Sequence, residues 1–145
     1  MSMGTIVKTS TRAFFPLLLV YGLYVIANGH LTPGGGFQGG VLFGSAFILL
    51  LIGFGYNKVS AMVSDLKLSL IQSAGALTFV LIGLAGMLFA NGFLQNWLAH
   101  ELPGHFLSAG TMPFLDLAVG VNVGAGVFII ALMMLAILWE EDGVD

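Results

Sequence analysis

The chain has no cysteine and very little charge. Without cysteine it holds no disulfide, no thiolate-bound zinc and no cysteine-ligated iron–sulfur cluster. Only 8% of its 145 residues are Asp, Glu, Lys or Arg, against roughly 25% in a typical soluble domain. Its four basic residues form no patch, which argues against nucleic acid as a partner. The net charge of −3 says little by itself. Apolar surface is what the chain has in excess: 58% of residues are hydrophobic and the mean hydropathy is +1.02. No soluble fold of this size hides that much. The sequence therefore describes an integral membrane protein, a single membrane domain over residues 1–145.

Four apolar stretches are long enough to cross a bilayer, which takes roughly 20 residues of helix. They lie near Arg12–Asn28, Phe37–Tyr56, Leu68–Ala90 and Leu115–Trp139, with an outer loop over 91–113. The expected fold is all-α, a four-transmembrane-helix bundle with a Gly-rich loop between helices 1 and 2. The first span does not read as a cleaved signal, because Asn28-Gly29-His30 is a poor cleavage site and three more spans follow. Lys8 and Arg12 precede span 1, and Lys58 and Lys67 lie between spans 2 and 3. The positive-inside rule then puts both termini in the cytoplasm of a multi-pass cell-membrane protein. In the outer loop, Phe93, Leu94, Trp97 and Leu98 share one helical face. Two readings fit it: a short interfacial helix ended by Pro103-Gly104, or a loop covered by a partner.

Small residues recur at helix spacing. Gly36, Gly40 and Gly44 make one smooth stripe at the start of span 2. Ser69, Ser73, Ala76 and Gly83 share a face of span 3. In span 4, Gly120, Gly124 and Ala131 share one face, and Ala118, Asn122, Ala125 and Gly126 form another. Lipid supplies no hydrophobic drive between helices, so close approach through small residues replaces it. These faces outnumber what a lone bundle needs, which implies other membrane subunits as partners. Asn122, polar and deep, is expected to make an interhelical hydrogen bond.

The stretch "HLTPGGGFQGG", residues 30–40, is the most unusual in the chain. Its glycines at 34, 35, 36, 39 and 40 follow Pro33. Pro33 fixes its own φ and pushes Thr32 toward extended backbone. The stripe does not explain Gly34, Gly35 or Gly39. One reading is a tight, buried helix–helix turn, the commonest use of Pro-Gly. The other is a loop dipping into the membrane, its bare backbone lining an ion or water path. His30, His100, Glu101, His105 and Asp116 all map to this outer end. Asp116 is the one acid at the edge of a span, in line with Gly120 and Gly124. It is either an acid complementing the dipole of the last helix, with Pro113 nearby, or a residue of an ion path. "HELPGH" is not a zinc motif: its histidines stand one residue too far apart, and Pro-Gly breaks the helix that would align them.

"YGLYVIANGHLTPGGGFQGGVLFGSAFILL" resembles the MnhB/MrpB family, small subunits of multisubunit Mrp-type sodium/proton antiporters. The element that carries the resemblance is G-H-x-x-P-G-G-G-F-x-G-G, here Gly29 to Gly40. The four-span pattern extends it over residues 12 to 138. Related subunits occur in membrane-bound hydrogenases and sulfane reductases built on the same plan. The resemblance implies that Pro33, the loop glycines and Phe37 are the motif positions. With His30 and Asp116 they are the candidate ion-path residues, and Gly44, Gly120, Asn122 and Gly124 the candidate packing residues.

The chain lacks what a pump usually needs: no Lys or Glu lies at mid-membrane, and no broken-helix pair carries a central charge. The expectation is a non-catalytic subunit with no cofactor or metal of its own, supporting sodium or proton translocation inside a larger membrane complex. The alternatives are the same kind of subunit in a hydrogenase or sulfane reductase, or an assembly scaffold that never meets the ion.

Overall fold

The computed structural model describes residues 4–29, 35–90, 92–95 and 110–141. Every regular element among them is helical. The helices are α1 (Thr5–Ala27), α2 (Gly35–Phe54), α3 (Tyr56–Ser60), α4 (Asp65–Ala90) and α5 (Met112–Glu141). All but α3 are long and apolar enough to cross a membrane.

The ends follow local chemistry. α2 stops at Phe54 rather than Tyr56 because Gly55 takes φ +86, a left-handed break that glycine accepts without steric cost. The sequence reading placed only a loop after it, but one short helix, α3, forms there. α4 begins at Asp65, whose acid in the first turn complements the helix dipole. α5 begins at Met112 with Pro113 in its first turn, where a missing N–H costs nothing.

The long helices stand in the order α1–α2–α5–α4. α2 and α5 form the centre, α1 lies mainly against α2, and α4 packs on α5. Among the described residues α1 and α4 do not meet. Between 11% and 33% of each span is buried, so most side chains face outward. Leu17, Val20, Leu77, Leu81 and Ile130 are among the exposed apolar residues, as a lipid surround requires. The core proper gathers Leu51, Val59, Leu68, Phe128 and Leu132. Phe47 joins it to α1 and α5, meeting Phe15 edge-on at 5.7 Å and Phe128 at 5.2 Å between ring centres. The same end carries all four basic residues. There Arg12 and Lys58 sit 5.7 and 5.5 Å from the ring centre of Phe54, an arrangement that lets charged heads stay wet over an apolar stem. We call this the basic end and the opposite one the glycine end.

Ser69, Ser73 and Ala76 are exposed, while Leu68 and Gly75 are buried against α5. Gly83 is buried, but against Phe93, not another long helix. The cause is Gly75, which lets α4 approach the backbone of Ala118 and Asn122 closely. Residues 92–95 form a turn folded onto the end of α4, with Leu94 at φ +59 and its N–H donating to the Gly83 carbonyl at 3.3 Å. The proposed interfacial helix does not include them, and Trp97 and Leu98 lie outside the described residues.

Candidate functional site: the glycine crossing and Asp116

α2 and α5 run in the same direction, and their backbones touch. The Gly36–Gly40–Gly44 stripe faces Asp116, Gly120 and Gly124 in the same order. A Cβ at Gly36 would collide with the Asp116 carbonyl. One at Gly40 would stand 2.7 Å from the Gly120 oxygen, and one at Gly44 2.9 Å from the Gly124 oxygen. The approach is reciprocal, since a Cβ on Gly124 would meet the Gly40 oxygen at 3.1 Å. Three successive turns therefore have room for hydrogen only.

Gly39 belongs to a different contact. It faces α1, where a Cβ would meet Ile26 and the Gly22 oxygen. So α2 carries two small faces, one for each neighbour. Gly22 is the reciprocal residue on α1, where a Cβ would meet the Gly39 oxygen at 3.2 Å, and the sequence reading does not single it out. At the basic end Gly53 makes the same kind of room for Thr11, whose buried hydroxyl has no hydrogen-bond partner.

Asp116 closes the crossing at the glycine end. Its Oδ1 accepts a hydrogen bond from the Gly36 N–H at 3.2 Å. Gly35, at φ +58, and Gly29 pack around the same carboxyl: a Cβ on Gly35 would stand 3.0 Å from Oδ1, and one on Gly29 2.6 Å from Oδ2. The dipole reading of Asp116 thus holds in kind but names the wrong helix. The acid caps the start of α2, not that of α5. An α-helix leaves its first four N–H groups without internal partners, and α2 receives one of its acceptors from a residue 80 positions away. The positive end of the α2 dipole faces this acid. All four basic residues lie at the other end.

The structure brings together Gly35, Gly36, Gly40 and Asp116, with Gly44, Gly120 and Gly124 continuing the crossing. Phe37 stays apart, 62% exposed on the outside of α2. His30, Pro33 and Gly34 lie outside the described residues, as do His100, Glu101 and His105. Asn122 makes the expected interhelical bond: its Nδ2 donates to the Gln72 carbonyl at 3.0 Å, tying α5 to α4.

This architecture and sequence recur in known proteins. Residues 6–129 match the family described as a domain related to the MnhB subunit of Na+/H+ antiporter. The uncharacterized protein MJ1307 of Methanocaldococcus jannaschii is 38% identical over 125 residues, 81% of this chain and 47% of that one. A Staphylococcus aureus (strain Newman) protein named as a candidate antiporter subunit, mnhB2, is 36% identical over 93 residues, 63% of this chain and 64% of its own. The chain therefore spans about half to two thirds of the length of these relatives. In the solved structure of the membrane-bound sulfane sulfur reductase, an archaeal respiratory membrane complex, one chain matches with a TM-score of 0.78 at 27% identity, covering 93% of this chain and 59% of that one. With four apolar helices, the glycine crossing and a family match over most of its length, this chain belongs to the MnhB family of membrane antiporter subunits.

Proposed function

We propose that the chain is a non-catalytic, multi-pass subunit of a multisubunit cation/proton antiporter in the cell membrane, where it supports sodium/proton translocation and assembly of the complex. The single observation that carries this is the capped glycine crossing. It builds a close parallel helix pair with an acid at one end. In this reading both termini are cytoplasmic and the glycine end faces outward. The chain carries no cofactor or metal of its own. Its partners are lipid, other membrane subunits, and the sodium ions or protons that the complex moves. The test is to tag the chain in its native host, purify it with its partners and reconstitute the complex in vesicles. Sodium-driven proton movement that disappears when this subunit is omitted is the expected result. Undiminished transport without it overturns the reading.

The likeness to a chain of the sulfane reductase complex favours a second reading, the same kind of subunit in a respiratory assembly. The same purification separates the two. Co-purifying redox subunits, with ion movement that requires an electron donor, would assign the chain to the respiratory complex. Point variants of this subunit that assemble fully and all transport normally would leave a scaffold.

A further inference from the structure

Near the basic end, a run of polar side chains follows α4 beside its contact with α5, among mostly apolar neighbours. Asp65, Ser69, Gln72 and Ser73 follow one another at i, i+4, i+7 and i+8, so they share one face of α4. Tyr56 of α3 joins Asp65, Ser69 and Gln72 around a cavity of about 490 Å³, whose apolar remainder is Leu66 of α4 and Ile129, Leu132, Met133 and Ala136 of α5. Gln72 fits there because residue 126 is glycine: a Cβ at that position would stand 3.0 Å from the Gln72 Nε2. Beside it, Asn122 holds the Gln72 carbonyl at 3.0 Å. Gln72 lies seven residues inside Asp65, about 10 Å along the helix at roughly 1.5 Å per residue. The polar run thus leads from the membrane surface toward the middle of the bilayer.

Thr9, Ser45 and Thr78 return their hydroxyls to a carbonyl of their own helix. Among the described residues the Ser69 and Ser73 hydroxyls and the Gln72 side-chain amide make no such bond. Lipid satisfies none of them, and leaving them bare in hydrocarbon is costly. Water does satisfy them, and the cavity has room for several molecules at roughly 30 Å³ each. The lining offers a carboxyl, hydroxyls and an amide, which are hard oxygen donors suited to a small hard cation. Of the basic side chains, Arg12 and Lys58 lie against Phe54 instead.

We propose that this seam is a water-filled vestibule, open at the basic end, that brings water and a monovalent cation to Gln72 and Asn122. The cation rests on the reading of the chain as an ion-transport subunit, while the water does not. The chain has no cysteine, so introduced thiols report without background. In the assembled complex in permeabilised membranes, Ser69→Cys is expected to react with a small cationic methanethiosulfonate at least roughly tenfold faster than Leu70→Cys, because the reactive thiolate forms in water and not in lipid. Leu70 lies on the same turn of α4 and is 60% exposed. Adding Asp65→Asn to Ser69→Cys should slow the cationic reagent relative to a neutral one by roughly two- to fivefold, as expected for one partly screened charge nearby. A rate for Ser69→Cys no faster than for Leu70→Cys would overturn the vestibule and show a dry seam under lipid or a neighbouring helix. Fast labelling that ignores Asp65 would overturn the cation. Neither readout depends on transport, so failure here is distinct from failure of the antiporter assignment.

Discussion

The Gly36 amide donates to the Asp116 carboxyl at 3.2 Å, and this bond joins the first turn of α2 to the first turns of α5. The two residues are 80 positions apart, and no side chain stands between their backbones. A residue with a Cβ at 36 would push the acid's own carbonyl away. Glycine at 36 and an acceptor at 116 are therefore one feature seen from two helices.

Substitution of the stripe should separate the helices in order of clash. Gly36→Ala meets backbone that cannot rotate aside, and Gly40→Ala meets the Gly120 oxygen at 2.7 Å. Gly4→Ala, with nothing within 4 Å, is the control. Both stripe variants are expected to lower the yield of assembled complex, while Gly4→Ala leaves it unchanged. The measurement is the fraction of tagged chain that co-purifies with its partners.

Gly35→Val tests the turn. At φ +58 a Cβ costs about 1–2 kcal/mol, and this one also stands 3.0 Å from Asp116 Oδ1. Assembly is expected to fall and the midpoint of thermal unfolding to drop. Gly55→Val also places a side chain at positive φ, +86 with ψ 155, a region nearly closed to other residues, but with open space around it. It should lower the unfolding midpoint without disturbing Asp116, so a loss of assembly with Gly35→Val alone marks the cradle around Asp116.

Orientation is open to a direct check. Ser64 and Gln95 are both exposed and lie near opposite ends of α4. In intact cells an impermeant thiol reagent is expected to label Gln95→Cys, and Ser64→Cys only after permeabilisation. The reverse pattern would invert the molecule in the membrane and place the vestibule mouth outside.

The stripe of span 2 and its partner stripe in span 4 were legible because the i, i+4 spacing of glycine has one main use in a membrane. Asn122 was legible for the same reason. What the sequence hid was pairing. Nothing in Gly39 says that it turns toward Gly22, and nothing in Asp116 says that it caps a helix 80 positions earlier. Capping is normally a local bond, so the expectation went to the nearest helix start. The shared face of Ser69, Ser73 and Ala76 says nothing of which side of α4 meets α5, because serine and alanine are as small as glycine in a pattern but not in the structure. One glycine, Gly75, decided where α5 docks. The small faces of α5 are consumed inside the chain, which removes them as an argument for partners. The exposed small residues of α4, Ser69, Ser73 and Ala76, remain as that argument.

Asp116→Asn separates capping from ion handling. Asn keeps an acceptor for the Gly36 amide and caps nearly as well as Asp. Only the interaction of a charge with the α2 dipole is lost, about 0.3–1 kcal/mol. Asp116→Ala loses the acceptor too and leaves a helix start without its partner, at about 0.5–2 kcal/mol. If the acid serves the fold, Asn should assemble and transport like the wild type, while Ala assembles poorly. If it draws cations at a pore mouth, Asn should assemble fully yet transport less. The deficit should then be larger at low ionic strength, where its field reaches further. The geometry favours the first outcome, because Oδ1 is engaged by an amide and the carboxyl is enclosed by Gly29 and Gly35. The measurement is sodium-linked proton flux of the reconstituted Asp116→Asn complex at two salt concentrations, normalised to the amount assembled. A salt-dependent loss would place Asp116 on the ion path and make the cap secondary.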